Sequence, residues 1–157
     1  MKLAPLFSLI LFLALSVVAV SLGGYLTSIS VNDWYPTLTK PSWNPPNWVF
    51  GPVWTTLYVM MAVAAWRVWL KQPHPGVPSG ILAYLIQLAL NTSWSGMFFA
   101  LQNPMLGFVN IFLLWVAILW TIERFWWTSR VAAILMIPYV LWVTYAMALN
   151  FTIWRLN

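Results

Sequence analysis

The feature that most constrains this chain is where its charges are missing. Its long apolar stretches hold no charged residue well inside them. Arg67, Glu123 and Arg124 fall near the ends of such stretches, where long side chains reach a membrane interface. Of the 157 residues, 62% are hydrophobic and 6% are charged, against about a quarter charged in ordinary soluble domains. Too few polar residues are left to coat a water-facing surface, so the solvent for this fold is a bilayer. A spanning helix takes about 20 residues. The length therefore accommodates one domain of five such helices with their loops. The expected fold class is an all-α integral membrane protein built as a five-transmembrane-helix bundle.

The spans are expected at about residues 5–28, 48–70, 79–101, 104–124 and 131–154, with a loop at 29–47. The first run, from Leu3 to Leu22, is broken only by Pro5, Ser8, Ser16 and Ser21. It is longer than the apolar core of a signal peptide, about 7–15 residues, and reads as a span rather than a cleaved leader. Gly23 and Gly24 near its end allow a neighbour to approach closely, or a bend. Pro36, Pro41, Pro45 and Pro46 forbid regular helix through most of the following loop, and its Trp34, Tyr35, Trp43 and Trp48 suit an interface. Pro52 lies in the first turns of the second span, where proline is tolerated. Gln102-Asn103-Pro104 predicts a tight connection, Phe125 to Arg130 an aromatic interfacial turn, and Pro138 a kink in the last span.

The formal net charge of +5 arises from seven Lys or Arg against Asp33 and Glu123. The basic residues are scattered singly, which points to topology or contact with acidic lipid rather than to nucleic acid. With an odd number of spans, Lys2, Arg67, Lys71, Arg124 and Arg130 share one side, and Lys40 and Arg155 the other. The first side is expected to be cytoplasmic, N-terminus included, so the proline-rich loop faces away from the cytoplasm. There is no cysteine, hence no disulfide and no thiolate metal site. His74 stands between prolines in a loop without a partner cluster, so no metal ligand set is expected. No acidic pair is available for acid–base chemistry.

Polar, uncharged residues do lie inside the spans. Gln87, Asn91, Trp94 and Ser95 fall at i, i+4, i+7 and i+8, on one helical face. An amide facing lipid unpaired costs several kcal/mol, so this face looks inward. Two readings stand: interhelical hydrogen bonds that hold the bundle together, or polar anchors in the wall of a cavity. Trp54 and Tyr58 repeat the pattern at i, i+4. Trp142, Ala146 and Leu149 place a small residue between large ones on the last span. Trp34, Trp43, Trp48, Trp126, Trp127 and Trp154 fit an interfacial aromatic belt. Trp54, Trp94, Trp115 and Trp142 lie deeper and need another reason, such as stacking on a flat ligand.

Trp34-Tyr35, Lys40-Pro41-Ser42-Trp43-Asn44-Pro45-Pro46, Trp54 with Tyr58, Asn91-Thr92-Ser93-Trp94, Phe98-Phe99, Pro138-Tyr139-Val140-Leu141-Trp142 and Leu149-Asn150 occur in this order. In this the chain resembles the TspO/MBR family, the bacterial tryptophan-rich sensory proteins and the mitochondrial translocator protein. The resemblance covers nearly the whole chain. It implies a five-helix bundle, usually a homodimer in membrane lipid, with residues 29–47 as a lid over a pocket. It implies protoporphyrin IX or a related tetrapyrrole as ligand, and no required cofactor. By motif, the ligand-binding residues would be Tyr35 and Pro45 from the loop; Phe50, Trp54 and Tyr58; Asn91, Trp94 and Ser95; and Trp142, Ala146 and Leu149. The sequence departs from the family pattern at Ser95-Gly96, where many members have proline after the tryptophan. It departs again at Phe151, which stands where a C-terminal sterol-recognition pattern has tyrosine, and this speaks against a sterol role.

The leading expectation is a tetrapyrrole-binding membrane protein acting in porphyrin sensing, handling or transport, in a bacterial cell membrane, inner or outer. An alternative implied by the resemblance is a light- and oxygen-dependent porphyrin-degrading enzyme, with Trp54 and Trp142 as its redox-active, catalytic residues. A further alternative is a scaffold or regulator acting through protein partners.

Overall fold

The computed structural model describes residues 3–157; Lys2, counted above for topology, lies outside the described residues. Its helices are α1 (Leu3–Ser28), α2 (Asn47–Trp69), α3 (Val77–Ser95), α4 (Pro104–Thr128), α5 (Arg130–Leu135) and α6 (Ile137–Leu156). Among the described residues there is no strand. Among the described residues four segments are long and apolar enough to cross a membrane: Ala4–Ser28, Asn47–Trp69, Pro104–Thr128 and Arg130–Leu156. The protein is an integral membrane protein. α3 falls short of that apolarity because Gln87, Asn91 and neighbouring hydroxyl residues ride on it. It is nonetheless packed among α1, α2 and α4, where those groups are buried.

The helices close a ring. α1 packs on α2 and α3, α3 on α4, α4 on α5 and α6, and α2 on α5. Small residues set the spacing along α2, where Ala62, Ala64 and Ala65 are fully buried beside Met61 and Val68. A methyl group in place of a longer side chain lets backbones approach, which is how helices associate when lipid competes for apolar contact. Gly80 does the same for α3: a Cβ there would sit 3.4 Å from the ring of Phe125 on α4.

The helix ends follow local chemistry. Asn103 caps α4, its Oδ1 accepting from the Leu106 N–H at 3.0 Å, with Pro104 at the first helical position. Gln102 just before it takes a left-handed φ of 50°, which makes the connection as tight as expected. Pro138 cannot donate to the Ile134 carbonyl, and the last span duly breaks: α5 ends at Leu135 and the Met136 N–H turns to the Ala133 carbonyl at 3.0 Å.

Two sequence expectations need correction. The third span is not uniform α-helix to residue 101: Gly96–Ala100 winds as a π-helical turn. Gly96 begins that wider turn, which carries Phe98 and Phe99 into the core. Residues 125–130 are also not an interfacial turn. α4 continues through Thr128, and only Ser129 is extended. Phe125 is fully buried against Gly80, whereas Trp126 and Trp127 are exposed and do suit an interface.

Candidate functional site

A cavity of about 400 Å³ lies at the end of the bundle that the proline-rich loop covers, within the usual range of ligand pockets, about 300–1,000 Å³. α2 contributes Phe50, Trp54 and Tyr58; α3 contributes Asn91, Trp94 and Ser95; α6 contributes Trp142, Ala146 and Leu149; the loop contributes Tyr35. The cavity therefore gathers all but one of the ligand-binding residues that the resemblance implies. Pro45 does not line it. Asn44, Pro45 and Pro46 hand the chain over to α2, and the rim on that side begins at Asn47.

Aromatic rings set the walls. Trp94 stacks on Phe98 at 5.3 Å with 25° between planes, and meets Phe99 edge-on at 5.9 Å. Trp54 faces Trp142 at 6.5 Å and 86°, and Phe50 meets Trp142 at 6.0 Å. Such pairs add about 0.5–1.5 kcal/mol each beyond area burial. They fix the rings without closing the space between α2 and α6.

The polar face of α3 divides between the two readings. Tyr58 Oη donates to Asn91 Oδ1 at 2.7 Å, Asn91 Nδ2 donates to Tyr139 Oη at 2.6 Å, and Tyr139 Oη donates to Gln87 Oε1 at 2.9 Å. Gln87 Nε2 ends the chain at Met61 Sδ, 3.6 Å away. Gln87 is thus an interhelical tie below the cavity and does not line it. Asn91 does both: it lines the cavity and ties α2, α3 and α6 together. Trp115 likewise has an ordinary reason to lie deep, since its indole N–H donates to Thr144 Oγ1 at 2.9 Å and joins α4 to α6 outside the cavity.

Asn150 holds a second tie. It accepts from Trp94 Nε1 at 2.9 Å and donates to the Pro104 carbonyl at 2.7 Å. Trp142 has no such partner: its indole N–H is buried and makes no hydrogen bond among the described residues. A buried donor left unmade is costly, about 1–3 kcal/mol.

The loop is fastened over this space. Tyr35 and Phe98 lie 6.2 Å apart, and Tyr35 and Phe99 5.6 Å. Burial pushes the Tyr35 phenol above its ordinary range, and its hydrogen bond to Asn44 Oδ1 at 3.2 Å offsets this only in part. Tyr35 therefore stays a neutral donor at physiological pH. Lys40 Nζ lies 4.7 Å over the Tyr35 ring and donates to the Tyr35 and Leu38 carbonyls. Tyr145 Oη donates to the Trp43 carbonyl at 2.7 Å, and Asn157 exchanges two hydrogen bonds with the Thr39 backbone.

The sequence reading missed one wall altogether. Val20, Gly23, Gly24, Thr27 and Ser28 of α1 line the cavity, as do Phe98, Phe99, Asn150 and Ile153. α1 is so evenly apolar that no face stands out. The only available signal was the Gly23-Gly24 pair, and a Cβ on Gly23 would lie 3.5 Å from Ser95 Oγ, the close approach expected. Among the described residues no group of His, Cys, Asp or Glu is placed to hold a metal ion.

Fold and cavity together define a class: a helical membrane bundle that keeps an aromatic-walled chamber beneath a proline-rich loop. The sequence model of the TspO/MBR family matches residues 11–155, and the chain belongs to that family. It is 45% identical to the tryptophan-rich protein TspO of Chlorobaculum tepidum over 139 residues, 86% of each chain. It is 39% identical to protein CrtK of Rhodobacter capsulatus, over 96% of this chain and 94% of that one. The translocator protein of Homo sapiens is 37% identical over 88% of this chain and 86% of its own.

Proposed function

We propose that the protein binds a tetrapyrrole, protoporphyrin IX or a close relative, in this cavity and serves to sense, handle or transport it. The observation that carries the reading is the set of aromatic rings, Trp54, Trp94 and Trp142, on the wall of one chamber of about 400 Å³. A macrocycle offers flat apolar area to Trp54, Trp94 and Trp142 and a carboxylate edge to polar rim groups such as Asn47. Family membership supports the same ligand class. Protoporphyrin IX added to the purified protein is expected to quench its tryptophan fluorescence saturably, and Trp142→Phe to weaken that binding. Absence of quenching in the wild type overturns the reading.

One observation favours a second reading, light- and oxygen-dependent breakdown of the bound ring. Trp54 and Trp142 lie together on the cavity wall, with ring centroids 6.5 Å apart, close enough for both to meet one macrocycle. Illuminating the complex in air and following new absorption bands separates the two. Bands lost in Trp54→Phe or Trp142→Phe, with binding retained, favour the enzyme; equal breakdown in both variants removes the tryptophans from the chemistry. The protein is further proposed to be a homodimer in a bacterial cell membrane with its N-terminus in the cytoplasm. Sedimentation in detergent tests the first of these claims.

A further inference from the structure

Among the described residues, the exposed part of the cavity lining gathers on one side, between the loop-side ends of α1 and α2. Five of its lining residues are exposed: Gly24 and Ser28 on α1, and Asn47, Gly51 and Thr55 on α2. The lining residues from the loop, α3, the π-turn and α6 are all buried or half-buried. At Gly24 and Gly51 a Cβ would meet nothing within 4 Å among the described residues. α1 and α2 do pack at their other ends, where Trp66 Nε1 donates to the Pro5 carbonyl at 2.9 Å and Phe12 meets Trp69 at 6.1 Å. The two helices thus touch at the end away from the loop and part toward it. The rim hydroxyls suit a lipid-facing edge, because Ser28 Oγ donates to the Tyr25 carbonyl and Thr55 Oγ1 to the Gly51 carbonyl, while the Asn47 amide sits at the first residue of α2, on the headgroup side.

The other route, up through the loop, is barred by the ties already described, Asn157 to Thr39 and Tyr145 to Trp43. We infer that the cavity is loaded sideways, through the gap between α1 and α2 at Gly24 and Gly51, by an amphiphile dissolved in the loop-side leaflet, while the loop stays fastened. The depth of the gap defines the class of ligand. Gly24 and Gly51 each lie one turn inside their helices, about 6 Å from the ends. α1, with 26 residues, is about 39 Å long and overreaches a hydrocarbon core of about 30 Å. The gap therefore opens near the boundary between acyl chains and headgroups. A molecule with a flat apolar body and a polar edge rests at that depth, and it can slide in without crossing water.

This rests on the tetrapyrrole reading only for its probe. The chain has no cysteine, so Gly24→Cys gives a single thiol at the gap. Reconstituted in vesicles that carry protoporphyrin IX, the variant is compared with itself before and after alkylation by a bulky membrane-soluble maleimide. Alkylation is expected to slow ligand uptake and release at least about tenfold while affinity changes less than about threefold, the mark of a blocked path rather than a damaged site. Asn157→Ala combined with Tyr145→Phe, which removes both ties of the loop, is expected to leave both rates as they are. Unchanged rates after alkylation, or about tenfold faster exchange in that double variant, overturn the lateral route. Should the wild type not bind protoporphyrin IX, the ligand reading fails and the gap is still tested. A bimane attached to the single thiol of the Gly24→Cys variant is expected to be quenched by doxyl-labelled phosphatidylcholine in the same membrane, and a bimane that is not quenched overturns the lateral route.

Discussion

At the scale of single residues, the cavity wall holds groups whose removal separates binding from stability. Trp142→Phe deletes a buried N–H that nothing among the described residues satisfies. Its thermal midpoint in detergent is expected to stay level or rise, while affinity for protoporphyrin IX falls by up to about tenfold, the worth of one weakened aromatic contact. Tyr139→Phe is the opposite case. Its hydroxyl accepts from Asn91 and donates to Gln87, and the ring is fully buried. Removal strands two buried amide groups, with an expected loss of about 1–3 kcal/mol read by denaturant or thermal unfolding. Tyr84→Phe serves as the control, because among the described residues its hydroxyl has one tie, a long 3.5 Å contact with Ser16. Equal losses in the two variants would mean that the chain from Tyr58 to Gln87 adds nothing beyond packing.

At the scale of elements, the site depends on how α3, α4 and α6 are spaced. Gly107 on α4 leaves room for Asn150 to join the Trp94 indole to the Pro104 carbonyl. A Cβ at 107 would sit 2.9 Å from Asn150 Oδ1 and 2.9 Å from the Phe98 ring. Gly107→Ala is expected to cost about 1–3 kcal/mol by overpacking and to free the Trp94 indole, visible as a shift in tryptophan emission. Gly24→Ala, with open space around it, is expected to change neither. The π-turn and the break at Met136 belong to the same scale. Pro138 announced the break through its missing N–H. Nothing in Gly96-Met97-Phe98-Phe99-Ala100 announced a π-turn, because a wider helical turn forms only where neighbouring helices reward the ring positions it produces.

At the scale of the whole molecule, the helices are sorted by what each must face. α4 and the final span turn broad apolar faces to lipid, with Val109, Phe112, Leu113 and Leu141 exposed, while the polar face of α3 is enclosed. This places the loop, the cavity and the α1–α2 gap at one end, and Arg67, Lys71, Arg124 and Arg130 at the other. Ser42→Cys, exposed in the loop, is expected to react with a membrane-impermeant thiol reagent added to intact cells. Labelling only after the cells are opened reverses the proposed orientation.

The sequence by itself determined that this is a helical membrane protein and where its helices run to within a few residues, because the absence of charge over spanning lengths admits no other solvent. It also marked three faces of the cavity, since Trp54 with Tyr58, Asn91 with Trp94, and Trp142 with Ala146 are polar or aromatic residues set at helical spacing in apolar surroundings. Only the tertiary structure decided that Gln87 is a tie while Asn91 also lines the cavity, since both sit on one face and only depth along α3 tells them apart. Only the tertiary structure decided that Pro45 stands off the wall, and that α1, a helix with no distinguished face, supplies the remaining side. An opening is made by what two helices fail to touch, and local periodicity carries no record of that.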